Sequence, residues 1–247
     1  MPDVCVIIPC YNEEQRLRGA ELLAFLDGHP AAALCLVDDG SADRTLAVLQ
    51  ALSAQRPGRI IVHAVSPNGG KAEAVRSGVR HLVTVGSWPV LGYWDADLST
   101  PLTEVDRLLA ALQDDPACWL VMGSRVKRLG ARIERRVARH VLGRLFAACA
   151  SGILGFPVYD SQCGAKLFRR ESVDVFFREP FLTRWLFDLE ILARLRNHVG
   201  GSAMAVAREV PLGRWQEVGG SKLRLREMMQ VPLELLRIRA RYNVGQS

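Results

Sequence analysis

PVLGYWDADLSTPLTEVDRLLAALQ, residues 89–113, decides how this chain is read. Its first six residues are apolar and short, as in a strand covered on both faces. From Pro101 to Gln113 apolar residues recur at helical spacing. Between the two lies DADLST. Two carboxylates, Asp95 and Asp97, stand two apart at the end of a buried strand. Like charges that close repel unless a cation lies between them. Asp97 is the candidate direct ligand of a hard, oxygen-bound cation, Mg²⁺ or Mn²⁺. Asp95 reaches either a ribose or a metal-bound water, and Ser99 adds a weak oxygen. The competing duty, capping the helix that follows, falls equally well to Ser99 or Thr100 and leaves both aspartates unexplained.

The same strand–turn–helix unit repeats along the chain. VCVII (4–8), ALCLV (33–37), RIIVHAV (59–65) and CWLVMG (118–123) read as further strands. EEQRLRGAELLAFL (13–26), ADRTLAVLQALSAQ (42–55) and GKAEAVRSGVRHLV (70–83) read as helices, and in the second half FLTRWLFDLEILARL (181–195) reads as a helix and AMAVAREVPL (203–212) as a strand. Such alternation predicts an α/β fold, a Rossmann-like, mostly parallel sheet flanked by helices. Ligands of such sheets lie beyond the carboxyl ends of the strands. Here those ends read PCYNEE (9–14), DDGS (38–41) and DAD (95–97). Tyr11 suits stacking on a base, and Asn12 is either a ligand contact or an N-cap for a helix beginning at Glu13. Asp39 accepts from a ribose hydroxyl or a base N–H, or merely shapes a turn. In NGGK, Lys71 sits at a helix N-terminus that suits an anion, or else is a solvated lysine.

With 247 residues, the chain is long enough for one sizeable core. Apolar residues make up 49%, and the net charge is +6. That balance excludes a disordered chain and favours an anionic partner. Six scattered cysteines without a CxxC pair read as reduced thiols of a cytosolic protein. A signal peptide is not expected, nor an apolar run of the ~20 residues needed to cross a bilayer. Between Arg125 and Arg144 there are eight Lys or Arg against one acid, Glu134. At helical spacing Val137, Ala138, Val141, Leu142, Leu145 and Cys149 share one arc, and Arg132, Arg135, Arg136, Arg139 and His140 the other. This is either a basic amphipathic helix lying on an anionic membrane or a helix packed on the sheet with a solvated basic face. A second basic segment, 222–242, favours the membrane.

Three rival readings are weak. A dinucleotide-binding dehydrogenase needs G-x-G-x-x-G where this chain has PCYNEE. An aspartyl phosphatase carries its D-x-D on the first strand, not the fourth. A nucleic-acid binder interleaves aromatics with its basic residues, and the acidic tips here would repel a phosphate backbone, so no nucleic-acid partner is expected.

In order along the chain, VIIPCYNEE, VDDGSADRT, NGGKAEAVRSG, WDADLSTP, GSR, DSQCGAKLF, FDLEIL and RWQEVGGSK resemble the inverting family 2 glycosyltransferases of GT-A fold. The likeness is greatest to the dolichyl-phosphate β-glucosyltransferase branch and next to the dolichyl-phosphate mannosyltransferases. It implies that Pro9, Tyr11, Asn12, Glu13 and Asp39 hold the nucleoside, with Lys71 and Asp95 nearby. It places Asp97 on the metal, Gln162 and Asp188 along the sugar, and Lys222 over the closed site. Arg125, Arg135 and Arg139 would meet an acceptor phosphate. The implied reaction moves a hexose, glucose from UDP-glucose, to a polyprenyl or dolichyl phosphate. The alternative is a soluble family member using another donor such as GDP-mannose and a small hydroxyl acceptor. Asp188 would then be the base, unless it is only a structural ion pair with a residue such as Arg184. The implied layout is a catalytic domain over 1–222 and a basic amphipathic tail over 223–247. The enzyme would be cytoplasmic and peripheral on the inner face of the membrane. Ala72 departs from the family pattern, in which a glycine commonly follows the lysine, and Ser99 from the mannosyl relatives, which often carry a glutamine there.

Overall fold

The computed structural model describes residues 3–134, 137–218 and 225–242, without the side chains of 137–142 and 225–229. The strands are β1 (Val4–Cys10), β2 (Ala32–Asp39), β3 (Ile60–Val65), β4 (Val90–Trp94), β5 (Leu120–Ser124), β6 (Arg132–Glu134), β7 (Ala165–Arg169), β8 (Ala207–Pro211) and β9 (Arg214–Gln216). The helices are α1 (Gly19–Gly28), α2 (Thr45–Gln55), α3 (Lys71–Val85), α4 (Glu104–Gln113), α5 (Val137–Leu154), α6 (Val173–Phe177), α7 (Phe187–Val199), α8 (Ala203–Val206) and α9 (Leu225–Arg241). The main sheet runs β3-β2-β1-β4-β7-β5-β8, with β6 and β9 as a separate parallel pair. Only β7 runs antiparallel within the main sheet, wedged between β4 and β5. The predicted α/β, mostly parallel architecture is therefore the observed one.

Both faces of the sheet are covered. Ile7, Cys35, Val37, Tyr93, Met122 and Phe168 face one apolar layer, which α3, α6 and α7 complete. Ile8, Leu34, Leu36, Trp94, Val121 and Leu167 face the other, beneath α1, α2 and α4. Burial on both faces is why these strands read as unbroken apolar runs. All six cysteines are free thiols; five are buried, while Cys149 faces outward.

Three local readings shift. The helix predicted from Glu13 begins at Gly19; Arg16 and Leu17 instead donate to the Glu13 carbonyl in a turn. The helix predicted from Phe181 begins at Phe187, because Thr183 Oγ1 accepts from Leu186 N–H and Glu190 Oε2 from Leu182 N–H. In AMAVAREVPL the first four residues are helical and only the rest is strand; a short apolar run does not separate the two by periodicity. α5 turns Ala147, Ala150 and Leu154 inward, while Leu145 and Cys149, from the predicted apolar arc, face solvent. α9 docks through Leu235 and Ile238 and touches α5.

Candidate active site

The tips of β1 and β2 are laced together. Asn12 N–H donates to Ser41 Oγ at 3.0 Å, and Asn12 Oδ1 accepts from Ala42 N–H at 2.9 Å. Glu13 N–H donates to Thr45 Oγ1 at 2.8 Å and Glu14 N–H to Asp43 Oδ2 at 3.2 Å. Asn12 thus bridges two loops in a left-handed conformation (φ 50°) and caps no helix. Pro9 is paired with Val37 one residue before the pairing of β1 ends at Cys10, Tyr11 projects into solvent beyond it, and Glu13 is buried under the turn.

Asp39 points to the other face and ties down the next loop. Its Oδ1 accepts from Gly69 N–H, and its Oδ2 from Gly70 N–H, each at 2.8 Å; Asn68 Nδ2 donates to Oδ2 at 2.7 Å. Burial raises the Asp39 carboxyl above its ordinary value, and the two amides pull it back down. On the outside of the loop, Arg184 donates to the carbonyl of Gly69 and to Asn68 Oδ1. Gly70 has φ 85°, and a Cβ there would lie 2.7 Å from Arg184 Nε. Clamped from both sides, the loop delivers Lys71 at the start of α3.

Lys71 Nζ meets Asp95 Oδ1 at 2.6 Å and lies 5.5 Å from the Phe187 ring centroid. Burial would lower the lysine, but Asp95 and then Asp188 outweigh it and hold the ammonium above its usual range. Beyond β4 the chain turns tightly. Leu98, at φ 50°, donates to the Asp95 carbonyl, and Ser99 N–H donates to Asp97 Oδ1 at 2.9 Å. Ser99 is buried behind the turn; the Asp95 side chain remains 39% exposed. Asp95 rests on Gly164 of the DSQCG segment. Its N–H donates to the Gly164 carbonyl, and a Cβ on Gly164 would lie 1.9 Å from Asp95 Oδ2. Only glycine allows that approach.

The donor set fits a hard divalent cation. Asp95 and Asp97 offer carboxylate oxygens at a partly open edge, and among the described residues no group of three or more His, Cys, Asp or Glu side chains is placed to hold a metal. Two carboxylates suit an ion that completes its shell from diphosphate oxygens and water. In the same DSQCG segment, the Nε2 of Gln162 is buried without a hydrogen-bond partner among the described residues.

Other predicted residues sit elsewhere. Asp188 is only 2% exposed; Tyr93 Oη donates to its Oδ1 at 2.5 Å, and Lys166 Nζ donates to the same oxygen. Its ion-pair partner is therefore Lys166, whereas Arg184 holds the glycine loop. Nε and Nη2 of Arg125 form a fork on Asp160, at 2.6 Å each, and its guanidinium lies 5.4 Å from the Trp215 ring centroid. Arg135 and Lys222 lie outside the described residues, as does the side chain of Arg139. The sequence reading passed over Tyr93, Lys166 and Asp160. Lys166 left one trace, a lone charge inside the apolar strand AKLF.

Polar loops at three parallel strand tips and a lysine beside a D-x-D turn thus gather at one edge of the sheet. A family model described as glycosyl transferase family 2 matches residues 5–177. The chain belongs to glycosyl transferase family 2. It is an enzyme, a glycosyltransferase of GT-A fold. The dolichyl-phosphate β-glucosyltransferase of Drosophila melanogaster is 32% identical, the match covering 98% of this chain and 76% of the relative. The Homo sapiens enzyme of the same description is 31% identical, over 97% and 76%. Among solved structures, glucosyl-3-phosphoglycerate synthase from Mycobacterium tuberculosis, with Mn²⁺ and UDP-glucose, superposes with a TM-score of 0.69 at 21% identity, covering 97% of this chain and 79% of that one. Mannosyl-3-phosphoglycerate synthase from Rubrobacter xylanophilus gives a TM-score of 0.67 at 20% identity, over 97% and 73%.

Proposed function

We propose that this enzyme transfers a glucosyl residue, with inversion, from UDP-glucose to a polyprenyl phosphate of dolichyl type at an anionic membrane surface. The observation that carries the reading is the Lys71–Asp95–Asp97 group at the strand tips, in a chain that matches dolichyl-phosphate β-glucosyltransferases almost end to end. Pro9, Tyr11, Asn12, Glu13 and Asp39 form the nucleoside end, directly or by holding its loops. Asp97, with Asp95 and Ser99 beside it, holds Mg²⁺ or Mn²⁺, which when bound neutralises charge on the departing diphosphate. Lys71 adds a fixed positive charge at the same place. Gln162 lines the sugar, and Lys222 closes over the site.

A phosphate acceptor is already anionic near neutral pH, so its oxygen attacks without a strong base. Its requirement is cationic orientation, assigned here to Arg125, Arg135 and Arg139. A small hydroxyl acceptor would need a base in addition. Asp188 is buried and bonded to Lys166 and Tyr93, which weighs against that route. In this reading residues 1–222 form the catalytic domain, and 223–247 form a basic segment that meets the membrane. No helix among the described residues is long and apolar enough to cross a bilayer. Leu145 on α5 and Leu233 and Leu236 on α9 are exposed, beside exposed Arg144, Arg237, Arg239 and Arg241. Leucines between arginines, on two touching helices, suit the headgroup region of an anionic leaflet on the cytoplasmic side.

The test is a donor and acceptor screen: UDP-glucose and GDP-mannose, with Mg²⁺ or Mn²⁺, with and without a polyprenyl phosphate in anionic vesicles. Glucosyl transfer that needs both UDP-glucose and the lipid phosphate is expected. Turnover of GDP-mannose onto a soluble hydroxyl compound, with none onto the lipid, would overturn the proposal.

A further inference from the structure

Lys166 has no part in the chemistry above, yet it is wholly buried in the sheet. It lies on β7 directly across from Tyr93 on β4 and Met122 on β5, within an apolar layer that includes Phe168 and Phe187. An ammonium in such surroundings persists only when fully partnered, and an apolar residue of similar size would occupy the strand without that demand. Its partners are specific. Nζ donates to the carbonyl of Cys163 at 2.6 Å and to Asp188 Oδ1, and lies 5.4 Å from the Tyr93 ring centroid.

Both contacts lead to the donor site. The Cys163 carbonyl belongs to the Cys163–Gly164 peptide, and Gly164 is the residue on which Asp95 rests. The same short segment is thus gripped by Lys166 at one residue and by Asp95 at the next. Asp188, for its part, lies close enough to Lys71 to act on its charge, and Lys71 is bonded to Asp95. Two carboxylates therefore compete for one ammonium. With Lys166 neutralising Asp188, Lys71 stays with Asp95.

We propose that Lys166 is a positioning residue for the donor site: by gripping the Cys163–Gly164 peptide and neutralising Asp188, it holds Asp95 and Lys71 where the donor diphosphate meets them. This rests on the donor-site reading given under Proposed function. Three variants test it: Lys166→Met, Lys166→Arg, and the double change Lys166→Met with Asp188→Asn. Each is titrated calorimetrically with UDP in the presence of Mn²⁺, melted, and assayed for KM and kcat with UDP-glucose. Lys166→Met is expected to weaken Mn²⁺–UDP binding by ~10-fold or more, in the range typical of lost outer-shell support, and to raise KM in step. The arginine variant regains part of the affinity. The double variant, with both buried charges gone, regains the melting temperature but not the affinity. Should it bind Mn²⁺–UDP as tightly as the unaltered enzyme, the lost grip on the Cys163–Gly164 peptide does not matter to the donor site and the proposal as stated is overturned; this arm decides even where Lys166→Met does not fold. An unaltered enzyme that fails to bind Mn²⁺–UDP overturns the donor reading itself, a result distinct from equal binding by all forms.

Discussion

In β1, β2 and β4, charged groups stand at the carboxyl tips, whereas β7 and α7 carry theirs inside the core. At the tips, the Lys71–Asp95 pair keeps side chains 21% and 39% exposed. In the core, Lys166–Asp188 and Arg194–Glu190 are almost wholly enclosed. Arg194 illustrates the second kind. Its guanidinium donates to the carbonyls of Phe176, Glu179 and Pro180, to Glu190 and to Tyr242 Oη. Burial, with the Glu190 hydrogen bond, pushes the Tyr242 hydroxyl up to about 12. These bonds fasten α9 and the 179–184 loop to α7. A pair open to solvent exchanges partners with a ligand at little cost, while a closed pair cannot be broken without stranding a charge. In the proposed reading the tips do the chemistry and the core pairs hold the tips in place.

Four experiments press on that division. The largest effect is expected from Asp97→Ala. Glucosyl transfer should fall on the order of 10⁴-fold, about 5 kcal/mol of barrier, while urea denaturation shifts by no more than about 1 kcal/mol, the scale of one lost turn hydrogen bond. Near-normal initial rates would remove Asp97 from the chemistry. Arg194→Leu should do the reverse, lowering unfolding free energy by about 4 kcal/mol because Glu190 is left buried without a counter-charge. Activity loss without destabilisation would show that this core pair is more than scaffold. Replacing Leu233 and Leu236 together by serine removes two apolar anchors; partitioning onto anionic vesicles should weaken by about 2 kcal/mol. Cosedimentation reads the binding, and turnover of a short, water-soluble prenyl phosphate should not change. If vesicle binding persists undiminished, α9 does not face the membrane.

The smallest effect concerns pH. Burial, then the stacked His81, lowers His63 below its ordinary value. A depressed histidine favours the native state above its unfolded value, near 6.5, and that contribution is lost as pH falls through the folded value. His29 is shifted the opposite way, its pairing with Asp106 outweighing its burial, so the two partly cancel in the whole protein. The difference between the unaltered protein and His63→Gln isolates the first: thermal stability should drop less in the variant between pH 7 and pH 5. Parallel curves would remove His63 as a source of acid sensitivity.

The same division explains what was legible beforehand. Strand tips follow from local pattern: an apolar run ends, a turn begins, and Asp39, Lys71, Asp95 and Asp97 stand at the break. Their neighbourhood then follows from parallel topology, which gathers every such break at one edge. The core pairs have no local pattern. Tyr93 and Asp188 are 95 residues apart in sequence, and Arg125 and Asp160 are 35 apart. The antiparallel entry of β7 brings Lys166 opposite Tyr93, and no periodicity encodes strand direction. Asp188 looked like an open carboxylate for this reason, and Arg125 like an uncommitted guanidinium.

By itself the sequence determined the α/β alternation, the edge where the strand tips gather and the acidic turn at that edge, because each depends on residues close in the chain. Which charges are free to act and which are spent on holding the frame was decided only by tertiary structure, since burial and pairing arise between segments that folding alone brings together.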